Sequence, residues 1–167
     1  MIFLLRYQRM HVRFFTKVGS AIAIMAAMSF TALHADAPDS PAEVQKARHD
    51  HYHELGEANK AVRDLTRRSN PDFAALEKAA EHIVNASIDQ GRWFPKGSGP
   101  EAGKTRALPE VWTKPAEFAA AQKMFSDRAP TLLAAAKAKD VDAVRRAFRE
   151  VGASCKNCHD TFRSPED

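Results

Sequence analysis

The 167-residue sequence predicts an all-α fold, an antiparallel four-helix bundle with one long crossover loop between the second and third helices. Apolar residues recur at helical spacing in four stretches of roughly 20 to 27 residues each. Nothing between residues 38 and 167 alternates with period two over a useful length, so no segment is a strand candidate. The first and last connections are short, which makes the helices they join antiparallel neighbours.

The chain opens with Arg6, Arg9, Arg13 and Lys17, followed by an apolar run from Val18 to Leu33 and the small-residue pattern Ala35-Asp36-Ala37. This reads as a Sec-type secretory signal peptide over residues 1–37, cut after Ala35 or Ala37, with no arginine pair to mark a twin-arginine leader. A retained N-terminal anchor is the alternative, and no other stretch is apolar for long enough to span a bilayer. The leader holds four of the 25 Lys+Arg and one of the 21 Asp+Glu, so cleavage lowers the formal charge from +4 to +1. With that, a nucleic-acid partner loses its support. Export also places the two cysteines where a thiol pair oxidises unless committed to other chemistry.

Residues 38–167 form the expected domain. Ser40-Pro41-Ala42-Glu43 is a capping box with proline at the first helical position. Val44, Arg48, His51, Leu55, Ala58, Val62 and Leu65 then trace the seam of a first helix over about 41 to 67. Asn70-Pro71 repeats the cap-plus-proline signal before Phe73, Leu76, Ala80, Ile83, Val84 and Ile88, the stripe of a second helix to about 89. From Gly91 to Val111 the periodicity stops and Gly and Pro punctuate the chain, as in a long loop of the kind that often carries function. The third helix opens near Thr113 and Pro115 and carries Phe118, Met124, Phe125, Leu132 and Leu133; Pro130 inside it predicts a kink or break. Asp140 caps the fourth helix, whose stripe is Val141, Val144, Phe148, Val151, Cys155, Cys158 and Phe162.

Cys155-Lys156-Asn157-Cys158-His159 has the Cys-x-x-Cys-His spacing of haem c attachment. Positions three and four apart share a helix face, so both thiols project toward one porphyrin edge while the imidazole reaches the iron. A structural zinc site needs four ligands and a thioredoxin-like pair needs a βαβ context; a plain disulfide leaves His159 unexplained.

Further blocks extend the pattern: Arg48-x-x-x-Tyr52-x-x-x-Gly56, Trp93-Phe94-Pro95-Lys96-Gly97-Ser98-Gly99, Leu108-Pro109-Glu110-Val111-Trp112, Gly152 to Asp160 around the cysteines, and Phe162-Arg163. On these blocks nearly all of the chain beyond the leader resembles the class II c-type cytochromes, the cytochrome c′ family, which attach haem near the C-terminus of a four-helix bundle. The resemblance implies one haem c, thioethers at Cys155 and Cys158, and His159 as the iron's axial ligand. It also implies that Arg163 lies close to that imidazole and Arg48 near a haem propionate, the alternative for Arg48 being a solvated surface position. Trp93, Phe94 and Trp112 are expected over the haem edge, the ends of the bundle core, or both.

In the same resemblance Tyr52 faces the open side of the haem, where relatives with six-coordinate iron carry Met. Apart from the leader, the only Met is Met124 on the third helix, so His/Met ligation of the usual kind is not available and a pentacoordinate iron is expected. Tyr52 departs from the commonest pattern. Its expected roles are a steric gate, a hydrogen-bond donor to bound NO or O₂-derived ligands, a phenolate ligand, or a buried aromatic with a polar partner. His49 and His53 share a face at a metal-chelating spacing but have no third ligand nearby, so a solvated face is favoured. His51 lies on the seam as a remote candidate for sixth ligand, and His82 is a surface or bundle-edge residue.

The expectation is therefore a periplasmic mono-haem carrier that cycles Fe(III)/Fe(II), not an enzyme, with a distal site open to NO or CO. Its partners are periplasmic redox proteins, with no nucleic acid, no membrane span after cleavage, and a homodimer through the first two helices permitted by Ala58, Ala61, Ala74 and Ala75. The alternatives are a peroxidase-like or NO-detoxifying haem enzyme, a low-spin carrier with Tyr52 or a His as sixth ligand, and a non-catalytic helical binding protein.

Overall fold

The computed structural model describes residues 40–165; the predicted leader lies outside the described residues. The chain forms α1 (Pro41–Thr66), α2 (Phe73–Asp89), α3 (Glu110–Thr113), α4 (Pro115–Lys137) and α5 (Val141–Phe162), with 3₁₀ turns at Gln90–Arg92 and Pro100–Ala102. The four long helices form the predicted bundle, and among the described residues no strand is present and no helix is long and apolar enough to cross a membrane.

The caps explain where each helix starts. Ser40 and Glu43 exchange side-chain to backbone bonds at 3.3 and 2.7 Å, which is the predicted capping box. The second helix begins two residues later than Asn70-Pro71 suggested: the Asp72 side chain accepts from the Ala74 and Ala75 amides at 3.0 and 3.1 Å, so Pro71 stays outside. Asp140 accepts from the amides of Asp142 and Ala143. The third predicted helix is preceded by the single turn α3, and Lys114 separates it from α4.

Pro130 does not break α4, which runs unbroken through it. The proline lies on the exposed face, while Ala129 and Leu132 beside it have no exposed surface, so core packing on both sides offsets the missing backbone bond. α4 then ends in a Schellman arrangement. Asp140 N–H reaches the Ala135 carbonyl at 3.2 Å and Lys139 N–H the Ala136 carbonyl at 3.0 Å, with Lys139 at φ 56°.

Two apolar clusters fill the bundle. The main one joins α1, α2, α4 and α5 around Val62, Leu76, Ile83, Leu132, Val144 and Val151. The smaller one, Val111, Phe118, Ala121 and Phe162, closes the end near the C-terminus of α5. Ile88, predicted for the α2 stripe, is 65% exposed; Ala86, Ser87 and Gln90 are buried at this end instead. The predicted seam of α1 holds at Leu55, Ala58, Val62 and Leu65 but not at His51, which is exposed. α5 packs chiefly on α4 and touches α1 sparsely, so one side of the bundle is much looser than the other three.

Candidate functional site

The loose α1–α5 seam collects the residues that the sequence singled out. On α5, Cys155 and Cys158 are free thiols, both partly buried. Cys155 packs on the main cluster and Cys158 on the smaller one, so the pair spans the boundary between them. Burial pushes both thiols up: Cys155 above the usual thiol value, and Cys158 to about 11 with its neighbour Cys155 contributing. Just before them Ser154 is fully buried and donates to the Val151 carbonyl at 2.6 Å. His159 follows on the same face with solvent-exposed surface. Partial desolvation lowers its pKa, and Arg163 and Arg106 lower it further, so the imidazole is neutral at neutral pH. Arg163 Nη1 lies 3.4 Å from His159 Nδ1.

Facing α5, α1 contributes Arg48, Tyr52 and Gly56, four residues apart and therefore on one face. Tyr52 is partly buried against the main cluster. Burial, followed by the nearby Cys158 thiol, raises its phenol well above the ordinary value, while Arg48 pulls in the opposite direction. Its ring meets Trp93 edge-on at 5.0 Å and Phe94 at 6.2 Å. His51, one residue earlier, lies flat on Trp93 at 4.8 Å and 18°. His49 and His53 are exposed, and among the described residues no group of three or more candidate ligands could hold a metal ion.

Arg48 is not a solvated surface residue: only 4% of it is exposed. Nη1 donates to the Trp93 carbonyl (3.1 Å) and Ser98 Oγ (3.0 Å), and Nη2 to the Ser98 carbonyl (2.8 Å) and Thr105 Oγ1 (3.2 Å). The guanidinium also sits over the rings of Phe94 at 4.8 Å and Trp112 at 5.8 Å. Arg48 thus fastens the crossover loop to α1, with Gln45 Nε2 adding a bond to the Gly99 carbonyl at 2.7 Å. The loop earns its glycine at residue 97. Ser98 N–H closes on the Pro95 carbonyl at 3.3 Å with Gly97 at φ 84°, a turn that demands glycine at its third position. Trp112 Nε1 donates to the Phe94 and Pro95 carbonyls, and rings continue through Phe94, Phe118 and Phe162 at 5.0 Å steps.

Sequence reasoning missed Ser98, Thr105 and Arg106. The polar residues of an aperiodic loop carry no register, and only the fold brings them to α1 and to the end of α5. A flat group fits this seam on two counts: two free thiols one turn apart and little helix-to-helix contact.

Comparison with known proteins gives one family. A family model described as Cytochrome C′ matches residues 43–163. The chain is 48% identical over 93 residues to a cytochrome c′ of Alcaligenes xylosoxydans xylosoxydans, covering 56% of this chain and 71% of that protein. Among solved structures, a cytochrome c′ described as having an unusual ligand-controlled dimer dissociation superposes with a TM-score of 0.72 at 27% identity, over 77% of this chain and all of the other. A nitric oxide complex of a cytochrome c prime variant from Alcaligenes xylosoxidans superposes with a TM-score of 0.69 at 30% identity, over 76% of this chain and 98% of the other.

Proposed function

The chain belongs to the cytochrome c′ family, a family of covalent haem c proteins, and from that premise we propose that it is an exported, periplasmic mono-haem electron carrier whose iron keeps one coordination position open to NO or CO. One observation carries the reading: the free thiols of Cys155 and Cys158 and the imidazole of His159 share the face of α5 that borders the loose α1 seam. Cys155 and Cys158 would hold the haem through thioethers and His159 would ligate its iron. The group would supply a one-electron Fe(III)/Fe(II) couple and a site for a diatomic ligand.

The surrounding residues have separable tasks. Burial keeps Cys155 and Cys158 as thiols rather than thiolates, which slows their oxidation to a disulfide before they are used. If His159 ligates through Nε2, its Nδ1 would carry the proton and be itself a donor. Arg163 Nη1, at 3.4 Å, then lays positive charge against the ring without a hydrogen bond and disfavours an imidazolate. Arg48 offers a buried cation for a propionate while its present partners hold the loop. Phe94 and Trp93 keep the seam apolar.

Tyr52 supports an open position. Its raised pKa keeps the phenol protonated, so it serves as a gate and hydrogen-bond donor and not as a phenolate ligand. His51 stacks on Trp93 and Arg48 is engaged by the loop, so neither makes the distal acid–base pair that peroxide turnover needs; this favours a carrier over a haem enzyme. A homodimer through α1 and α2 is part of the proposal, with Ala61, Ala74 and Ala75 keeping accessible surface and Ala58 withdrawn into the protein's own core.

The test is spectroscopic. Protein purified from the periplasm is expected to carry covalent haem, to show a high-spin ferric spectrum, and to bind CO when reduced. A sharp six-coordinate low-spin spectrum in both oxidation states would overturn the open site.

A further inference from the structure

Arg106 reaches the neighbourhood of His159 from the crossover loop, 58 residues before the Ser164 that it binds. Here the loop runs antiparallel to the chain leaving α5. Ala107 bridges Arg163, Leu108 N–H donates to the Phe162 carbonyl at 3.0 Å, and Ser164 N–H donates to the Arg106 carbonyl at 2.8 Å. The Arg106 guanidinium adds two donors to one oxygen, Nε at 3.2 Å and Nη2 at 2.6 Å from the Ser164 carbonyl. Arg163 is therefore held on both sides. Its amide closes α5 on the His159 carbonyl at 3.2 Å, and the next residue is gripped by Arg106.

A long, flexible arginine beyond the last helical residue has many rotamers, and pinning the backbone beside it reduces the ones it samples. We propose that Arg106 is a positioning residue for the proximal side: by clamping Ser164 it holds the Arg163 guanidinium against His159 and so biases the Fe(III)/Fe(II) balance. This rests on the reading of His159 as axial ligand. A cation held near the ring opposes the extra positive charge of the ferric state and raises the midpoint potential. Loosening Arg163 lowers it. Arg106 is itself a cation in the field at His159, which makes the route through Arg163 the point to test.

The experiment is a midpoint titration of the haem-loaded protein with small-molecule redox mediators, on wild type, Arg106→Gln, Arg106→Lys, Arg163→Gln and the Arg106→Gln/Arg163→Gln double variant. Arg106→Gln is expected to shift the equilibrium toward ferric by at least threefold, about 28 mV at about 59 mV per tenfold for one electron. In the Arg163→Gln background the same substitution should produce less than half of that shift. Arg106→Lys, which keeps the charge but offers no two-pronged fork, should shift the balance in the same direction and keeps the test available if the Gln variant fails to fold.

An unchanged midpoint in both Arg106 variants, beside a shifted one in Arg163→Gln, overturns the assignment. So does a full-sized Arg106→Gln shift in the Arg163→Gln background, which would mean that Arg106 acts by its own charge. An unchanged midpoint in Arg163→Gln, or wild-type protein without covalent haem, overturns the reading beneath it.

Discussion

Tyr52 is the only tyrosine of the expected domain, residues 38–167, the other, Tyr7, falling in the predicted leader. That makes its titration readable on its own. Its folded pKa is raised above the unfolded value near about 10, so the unfolded chain releases the proton first as pH rises. The stability that this group contributes is full below about pH 10 and is lost above it. Tyrosinate absorbance is expected to appear in the folded protein only well above the ordinary tyrosine value of about 10, and Tyr52→Phe should flatten the alkaline fall in unfolding free energy. Ordinary tyrosinate formation near the unperturbed value would refute the burial argument. Arg48 makes a second residue-scale prediction. Arg48→Gln removes most of four hydrogen bonds and leaves buried loop acceptors unmet, so denaturant titration should find a loss of about 2–3 kcal/mol. A solvated arginine would cost almost nothing. The i, i+4 pattern of Arg48, Tyr52 and Gly56 was legible in the sequence because helix geometry fixes it; the partners of Arg48 were not, because they lie 45 to 57 positions away on a loop.

The helices show where local rules held and where packing overrode them. Caps at Ser40 and Asp140 were readable, since each depends on a few adjacent residues. The start of α2 was misread because Asp72 outcompetes Asn70 by reaching two amides at once. Ile88 looked like stripe, but the buried face runs through Ile83, Ala86, Ser87 and Gln90 at regular helical spacing and leaves Ile88 off it. Pro130 is tolerated rather than favoured. Pro130→Ala restores an amide able to bond the Ser126 carbonyl on an exposed helix face, and thermal unfolding should show a gain of about 1–2 kcal/mol. Lys139 sits in the left-handed region that glycine occupies without strain, so Lys139→Gly should add about 0.5 kcal/mol after the extra freedom of the unfolded chain is subtracted. An unchanged or lower midpoint in either variant would mean that the flanking packing depends on the native residue.

For the molecule as a whole, periodicity and short turns were enough to predict a four-helix bundle, and the cysteine spacing places the proposed haem site on its last helix. What they did not reveal is how the loose side is held. The crossover loop is tied to α1 from Trp93 to Thr105 through Arg48 and Gln45, and from Arg106 onward to the chain beyond α5 through Arg106 and Leu108. Between these ties lies the seam where α1 and α5 barely meet. The loop therefore works as a clasp: Thr105 holds Arg48 of α1 while its neighbour Arg106 holds Ser164 beyond α5, so a residue inserted between those two would act on the width of the slot, whereas one inserted between Gly99 and Thr105 would fall between two anchors on the same helix.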